Sequence, residues 1–320
     1  MKILAIQNRM GIGDTVLFLP FIKAISEKFA SPIDILVKES SKANQYLYNA
    51  SYIANIIILD RTKNPKSKHS GLFGSIRLIH DLKKYNFDKI FIFNSSLRYN
   101  IIAKLSGIKE IYQYPLFKKK RQHIIETPKK FLKDKLNLNI DEDPKIEVNI
   151  ELVNNCKLKY NIDKNEYNIL LGIGGSGPTK RVPSKTFLEI MEKVSKLKKC
   201  RFFLATGKKN EEQIILNEIV NSKFKKNCIR LDHLSIRETL PIIKNCNAAI
   251  CNDSSFSHLS AALDVKTITL MADTPLIYGN YNSRMIPIIP DEIEDVTHGT
   301  LGKDKISPDK IFDKLKKILI

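Results

Sequence analysis

Apolar residues fall in short, nearly continuous runs along the first part of the chain, and between the runs the spacing becomes helical. ILAIQ (Ile3 to Gln7) reads as a buried strand, and TVLFLPFIKAISEKF reads as a helix carrying Pro20. IDILV (Ile33 to Val37), IIIL (Ile56 to Leu59) and KIFIF (Lys89 to Phe93) are three more strands, the last two separated by the helical pattern LFGSIRLIHDLKKY. Runs without polar alternation suit strands covered on both faces, and their alternation with helices predicts a parallel sheet. From Asp141 to Glu166 the pattern thins into polar, charged text, which marks the boundary between two domains. Alternation then restarts: NILLGI, a helix from Ser184, FFLATG, a helix from Asn210, CIRL, a helix from Ser235, AAICND, a helix from Ser255, and TITLM. The terminal KIFDKLKKILI has apolar residues at helical spacing and is expected to pack back on the body, with the N-terminal domain as its seat. The chain therefore reads as α/β, with two doubly wound units at 1–160 and 161–320. Two such units side by side place a cleft at the carboxyl ends of their strands, where these sheets bind ligands.

The 320 residues are long for one core and comfortable for two. No apolar run approaches the ~18 residues that span a bilayer. Gln7 and Asn8 break the first apolar run too early for a signal peptide. The five cysteines, Cys156, Cys200, Cys228, Cys246 and Cys251, form no C-x-x-C pair and have no histidine at metal spacing. That usage fits reduced thiols in a cytoplasmic protein, and neither a disulfide frame nor a zinc site. The net charge of +19 changes the picture more, because it suits nucleic acid, an anionic membrane surface or an acidic substrate. Only ten of the 53 basic residues are arginine, the residue that reads base edges with a bidentate fork. One segment, Phe117 to Lys135, concentrates eight cations against Glu126 and Asp134. It suits a solvated helix face or a patch for a phosphorylated or carboxylated partner.

Three loops at strand ends mix small residues with a charged group. In Gly11 to Pro20, GIGDTVLFLP, glycines such as Gly13 let the backbone approach a ligand, and the helix that follows offers unpaired N–H groups. Asp14 at that helix start suits an N-terminal cap; facing a cleft, it also suits removal of a proton from an acceptor hydroxyl. In LGIGGSGPTKRVP, Gly172, Gly174 and Gly177 complete G-x-G-x-x-G, yet Pro178 stands where an NTPase loop needs lysine. A backbone nest at Ser176 and Gly177, then Thr179 and Lys180, are parts for gripping a diphosphate without a metal. In CNDSSFSHLSAAL, Asp253, Ser254, Ser255, Phe256 and His258 sit where a strand meets a helix, as a second anion clamp. A Ser-His-Asp hydrolase fits poorly there, since the G-x-S-x-G elbow is missing.

At these loops the chain resembles glycosyltransferase family 9, the heptosyltransferases of lipopolysaccharide core assembly. The likeness runs over most of the chain: Gly11 to Pro20, Ile92 to Tyr114, the glycine loop into Lys180-Arg181-Val182-Pro183, and Asn252 to Leu263, similar to the family's Asp-Thr-Gly-x-x-His-x-x-Ala-Ala block. It implies a GT-B architecture, two Rossmann-like domains with an interdomain cleft, the first on the acceptor side and the second binding the nucleotide-sugar donor. It implies inverting transfer of a heptose from an ADP-activated donor to a lipid A–core acceptor, with no cofactor and no metal. By motif position Asp14 is the implied general base, Ser176 and Lys180 hold the diphosphate, and Asp253, Ser254, Ser255, Phe256 and His258 complete the donor site. Glu212, or Glu211, is the implied ribose ligand. Arg98 and the Lys118, Lys119, Lys120 and Arg121 cations would then meet the phosphates of the acceptor, and the basic surface would favour the cytoplasmic face of the inner membrane. Val182 replaces an aromatic residue common in the family, Ser255 replaces a glycine, and MADTP (Met271 to Pro275) stands for Gly-Pro-Thr-x-Pro.

Three other readings compete. An NAD- or FAD-linked oxidoreductase would use the G-x-G-x-x-G, but no acidic residue ends the next strand, RFFLATG, to hold a ribose. A nucleic-acid binder would explain the charge, but aromatic residues do not interleave with the basic run as a stacking platform does. A sugar-nucleotide binder without turnover would need no base at Asp14.

Overall fold

The apolar runs pair in parallel in two separate sheets. In the computed structural model, which describes residues 1–9, 11–62, 67–116 and 123–320, the chain divides into two compact units, Met1–Pro144 and Lys145–Ile320. The first unit contains β1 (Ile3–Ile6), α1 (Ile12–Lys28), β2 (Ile33–Lys38), β3 (Ile53–Leu59), α2 (Gly71–Lys83), β4 (Lys89–Ile92), α3 (Leu97–Leu105), β5 (Glu110–Gln113) and α4 (Glu126–Leu136). Its sheet has the order β3-β2-β1-β4-β5, with every pairing parallel. Alternate strand residues point to opposite faces. Leu4, Ile6, Leu36, Ile90 and Ile92 therefore form one layer, on which α2 lays Leu78 and Leu82 and α3 lays Tyr99, Ile102 and Ala103. Helix α1 is buried from Thr15 through Ile22, which explains its uninterrupted apolar sequence.

The second unit contains α5 (Ile150–Lys159), β6 (Tyr167–Gly172), α6 (Ser184–Ser195), β7 (Cys200–Ala205), α7 (Asn210–Val220), β8 (Cys228–Arg230), α8 (Ile236–Lys244), β9 (Ala248–Asn252), α9 (Ser255–Ala262), β10 (Thr267–Leu270), β11 (Met285–Ile288) and α10 (Pro308–Leu319). Its parallel sheet runs β11-β10-β9-β6-β7-β8, the strand order of a complete doubly wound nucleotide-binding fold. The winding direction reverses between β1 and β4 in the first sheet and between β6 and β9 in the second. Those are the two positions at which such sheets open a crevice beyond their strand ends.

One expectation about organisation changes. The division falls after Pro144, earlier than residue 160, because α5 belongs to the second unit: it packs on α8, and the Asn245 side chain donates a hydrogen bond to Val153 O at 2.9 Å. The sequence hid this helix because Ile150 and Leu158 face solvent, while only Val153 and Cys156 are buried, so its apolar spacing is blurred. The terminal helix α10 packs back on the body by burying Ile311 and Leu315 in the core of its own unit, beside α6 and the sheet. An ion pair between Lys193 of α6 and Asp309 fixes its start.

Four of the five cysteines are buried, and all five are free thiols. Burial pushes Cys156, Cys200 and Cys228 up to about 11 and Cys251 to about 12, so they are unreactive core residues. Cys251 has a second consequence. It lies in register with Gly172 on the neighbouring strand, and a Cβ added at Gly172 would sit 2.6 Å from its Sγ and 2.8 Å from its Cβ. The first glycine of the G-x-G-x-x-G therefore serves strand packing. Gly172→Ala should destabilise the second unit by about 1–3 kcal/mol through overpacking. Circular dichroism should show this as a melting temperature lower by several degrees.

Candidate functional site

The switch point of the second sheet gathers the two loops that the sequence singled out there. One follows β6 and one follows β9, and because the strands are parallel neighbours both emerge at the same edge. Asn252, fully buried at the end of β9, ties them together. Its amide donates to Ile173 O at 2.8 Å and Gly174 O at 3.2 Å, and its Oδ1 accepts from Val182 N at 3.3 Å. Glu212 braces the loop from the other side: its Oε1 accepts from Gly175 N at 3.0 Å. A Cβ at Gly174 would lie 2.6 Å from that same oxygen, so the second glycine makes room for Glu212. The buried Arg181 guanidinium donates to Gly175 O at 3.3 Å and pairs with Glu211. Val182 is a core residue, which accounts for its apolar character.

Within this frame the charged side chains converge. Lys180 ends a short 3-10 turn, and its Nζ lies 2.8 Å from Asp253 Oδ2. His258, in the first turns of α9, brings Nε2 to 3.8 Å from Asp253 Oδ1. The other ring nitrogen, Nδ1, shares a 2.6 Å hydrogen bond with Tyr281 OH, and the two rings stack with centroids 5.6 Å apart. Burial alone would raise the Asp253 pKa, but the charges of His258 and Lys180, with the lysine hydrogen bond, outweigh it and hold the carboxyl below its ordinary value. Asp253 thus stays ionised and anchors a lysine and a histidine at the N-terminus of α9, where the helix has unpaired N–H groups. The Ser254 hydroxyl at the cap is buried with no hydrogen-bond partner among the described residues. A buried orphan hydroxyl at an anion-attracting helix end is the kind of group a ligand satisfies. Ser255 and Phe256 open the helix, half-buried; Ser176 is exposed, and Gly177 is extended, where an added Cβ would make only an ordinary contact with Thr179 Oγ1 at 3.9 Å.

Asp273, in the MADTP departure, has a structural reason. It accepts from Gly299 N at 2.8 Å and Leu301 N at 2.9 Å. Burial works to raise its pKa, but these donors and the Thr179 hydroxyl bring it below the usual value. Thr179 is therefore engaged beside the same loop.

In the first unit, Gly13 and Asp14 lie in the first turn of α1. Asp14 Oδ2 caps the helix by accepting from Gly11 N at 3.0 Å, and Oδ1 faces Arg9 Nη1 at 3.8 Å. The carboxylate is partly exposed, so the capping role and access to a substrate coexist. Arg98 is turned to a structural contact: Nη2 donates to His69 O at 2.6 Å, and desolvation lowers its pKa. Lys118, Lys119, Lys120 and Arg121 lie outside the described residues. Sequence reasoning did not select Arg181, Asn252, Asp273 or Tyr281. Arg181 and Asn252 adjoin selected residues, whereas Tyr281 carries no local signal.

Two doubly wound parallel sheets, the second with a clamp of this kind at its switch point, make up a fold of the GT-B class. The chain belongs to glycosyltransferase family 9 (heptosyltransferase), whose model matches residues 76–291. It is 25% identical to lipooligosaccharide heptosyltransferase 2 of Campylobacter jejuni over 324 residues, 96% of either chain. Among solved structures it is similar to the glycosyl transferase family 9 protein of Veillonella parvula, with TM-score 0.78 and 17% identity over 99% of this chain and 97% of that one. It is also similar to the ADP-heptose lps heptosyltransferase II of E. coli, with TM-score 0.74 and 15% identity over 100% and 98%. The oxidoreductase and nucleic-acid readings give way to this membership.

Asp253→Asn should destabilise the protein at neutral pH by leaving the Lys180 ammonium without its counter-charge. The folded-state pKa of Asp253 is depressed, so its stabilisation is present above the unfolded value of about 3.9 and lost as pH falls through the lower folded value. Denaturation curves of wild type and variant should differ at pH ~7 and converge under acid.

Proposed function

We propose that the protein transfers a heptose, with inversion, from an ADP-activated donor to a lipopolysaccharide core acceptor. The observation that carries this reading is the Asp253-anchored pair of Lys180 and His258 at the head of α9. A departing nucleoside diphosphate develops charge on its phosphate oxygens. Donors already aimed at that position stabilise it most. Lys180, the α9 N–H groups and the orphan Ser254 hydroxyl supply that stabilisation, with Ser176, Gly177 and Thr179 along the loop. No metal or other cofactor is needed in this scheme.

On the acceptor side, Asp14 removes the proton of the attacking hydroxyl through Oδ1 while Gly11 N–H holds Oδ2 in place. The hydroxyl oxygen bonds to the anomeric carbon, the bond from that carbon to the diphosphate oxygen breaks, and the nucleoside diphosphate leaves. Displacement in one step inverts the anomeric centre. Glu212 would reach the ribose only through its second carboxylate oxygen, since the first is bonded to Gly175 N. The heptose and the ADP carrier are supported by what the E. coli enzyme is called, and the lipid-linked acceptor by the name of the C. jejuni relative. No helix among the described residues is long and apolar enough to cross a membrane; work on such an acceptor would be done peripherally, at the cytoplasmic face of the inner membrane.

A thermal-shift screen should show stabilisation by ADP and ADP-linked sugars and none by UDP, GDP or NAD; stabilisation by NAD alone would overturn the reading. Lys180→Ala should lower turnover by roughly 10²- to 10³-fold, as loss of a preorganised donor does. Asp14→Asn should abolish turnover while leaving the ADP shift intact; retained turnover would remove Asp14 from the base role.

A further inference from the structure

We infer that the outward face of α2 and α3 is a docking surface for an anionic lipid bilayer. The two helices lie side by side on one face of the first sheet. Arg98 at the start of α3 bonds to His69 just before α2, and the Ser106 hydroxyl after α3 donates to Ile79 O in the second half of α2 at 3.4 Å, so the helices run in the same direction. Each buries one side on the sheet and leaves large apolar side chains on the other. Helix α2 exposes Leu72 and Phe73, both 78% exposed, and Ile76 at 45%. Helix α3 exposes Leu97, Ile101 and Leu105 at 41%, 45% and 57%, an i, i+4, i+8 stripe diametrically away from buried Tyr99, Ile102 and Ala103. Six large apolar side chains on two neighbouring helices form a patch rather than the scattered exposure ordinary on a surface.

The charge around the patch selects its partner. Over residues 71–110 Lys and Arg outnumber Asp and Glu seven to three, and with Lys89 paired to Glu110 and Arg98 turned to His69 O the remaining balance is five to two. Both remaining acids are already engaged: Asp81 by Lys68 at 2.5 Å, and Asp88 by the backbone N–H of Lys2 at 2.8 Å. Exposed Arg77 adjoins Ile76, and exposed Lys104 adjoins Leu105. A self-complementary dimer would set these cations against their own copies. An anionic headgroup layer over an acyl interior matches both components, since apolar side chains enter the interface while lysine and arginine stay at headgroup level. The inference deepens the proposed work on a lipid-carried acceptor, yet it stands on the surface and not on the donor site.

The test is co-sedimentation of the full chain with phosphatidylcholine vesicles, with and without phosphatidylglycerol. The protein should partition onto the phosphatidylglycerol vesicles and be weakened by added salt. The triple substitution Leu72→Ser, Phe73→Ser, Ile101→Ser should lower that partition roughly tenfold or more while its melting temperature and ADP shift stay at wild-type values. Arg77→Glu with Lys104→Glu should lower it as well. Undiminished partition of the triple variant, equal binding to both vesicles, or no binding to either would overturn the inference. So would a concentration-dependent dimer that the triple variant dissolves. Loss of the ADP shift in the wild type would instead strike the donor reading and leave the vesicle result standing.

Discussion

The parallel pairing of β6 with β9 is the constraint on which the rest of the second unit depends. With Gly172 opposite Cys251, the two strands end at the same level, and the loops that follow must occupy the same crevice. Asn252 then converts proximity into a fixed shape by bonding three backbone groups of the glycine loop with one buried side chain. Without that latch the positions of Lys180 and Asp253 would depend on two independent loops. With it they depend on one sheet.

The electrostatics follow from the same frame. A buried carboxylate is unfavourable unless its charge is met, and Asp253 is met twice. The pairing uses the carboxylate to hold a lysine ammonium where it could serve an anion, at the point where α9 already presents its positive end. His258 is held in turn by Tyr281, so its orientation is set from outside the loop. The arrangement suits phosphate better than a pyridine nucleotide, because its donors converge on one small region instead of extending along a dinucleotide.

The first unit solves a different problem. Its α1 start keeps a carboxylate partly exposed and rigid, since the hydrogen bond by which Asp14 caps the Gly11 N–H also pins one carboxylate oxygen. Its α2 and α3 meet the sheet with one side only and leave the other side apolar and basic. A helix pair of that composition is poorly matched to water alone, and its sequence cannot be explained by the core it covers.

The apolar runs by themselves marked the strands of both sheets except the edge strands β5 and β11, because a strand buried on two faces must be apolar throughout, whereas an edge strand need not be, and a helix between such strands must show its own period. They also marked the loops bearing Asp14, Lys180, Asp253 and His258, since small residues next to a lone charge at a strand end are a local signal. They did not reveal α5, whose exposed Ile150 and Leu158 blur the helical stripe, and so they put the boundary about a helix too late. They did not say why Gly172 and Gly174 must be glycine: what those positions avoid are Cys251 and Glu212, far away in the chain. Tertiary structure alone decided that Arg181, Asn252, Asp273 and Tyr281 shape the site and that Arg98 is turned to a backbone carbonyl. The physical reason is the same throughout: periodicity reports which side of an element meets the core, whereas a hydrogen bond or an ion pair reports a partner that only the folded chain brings near.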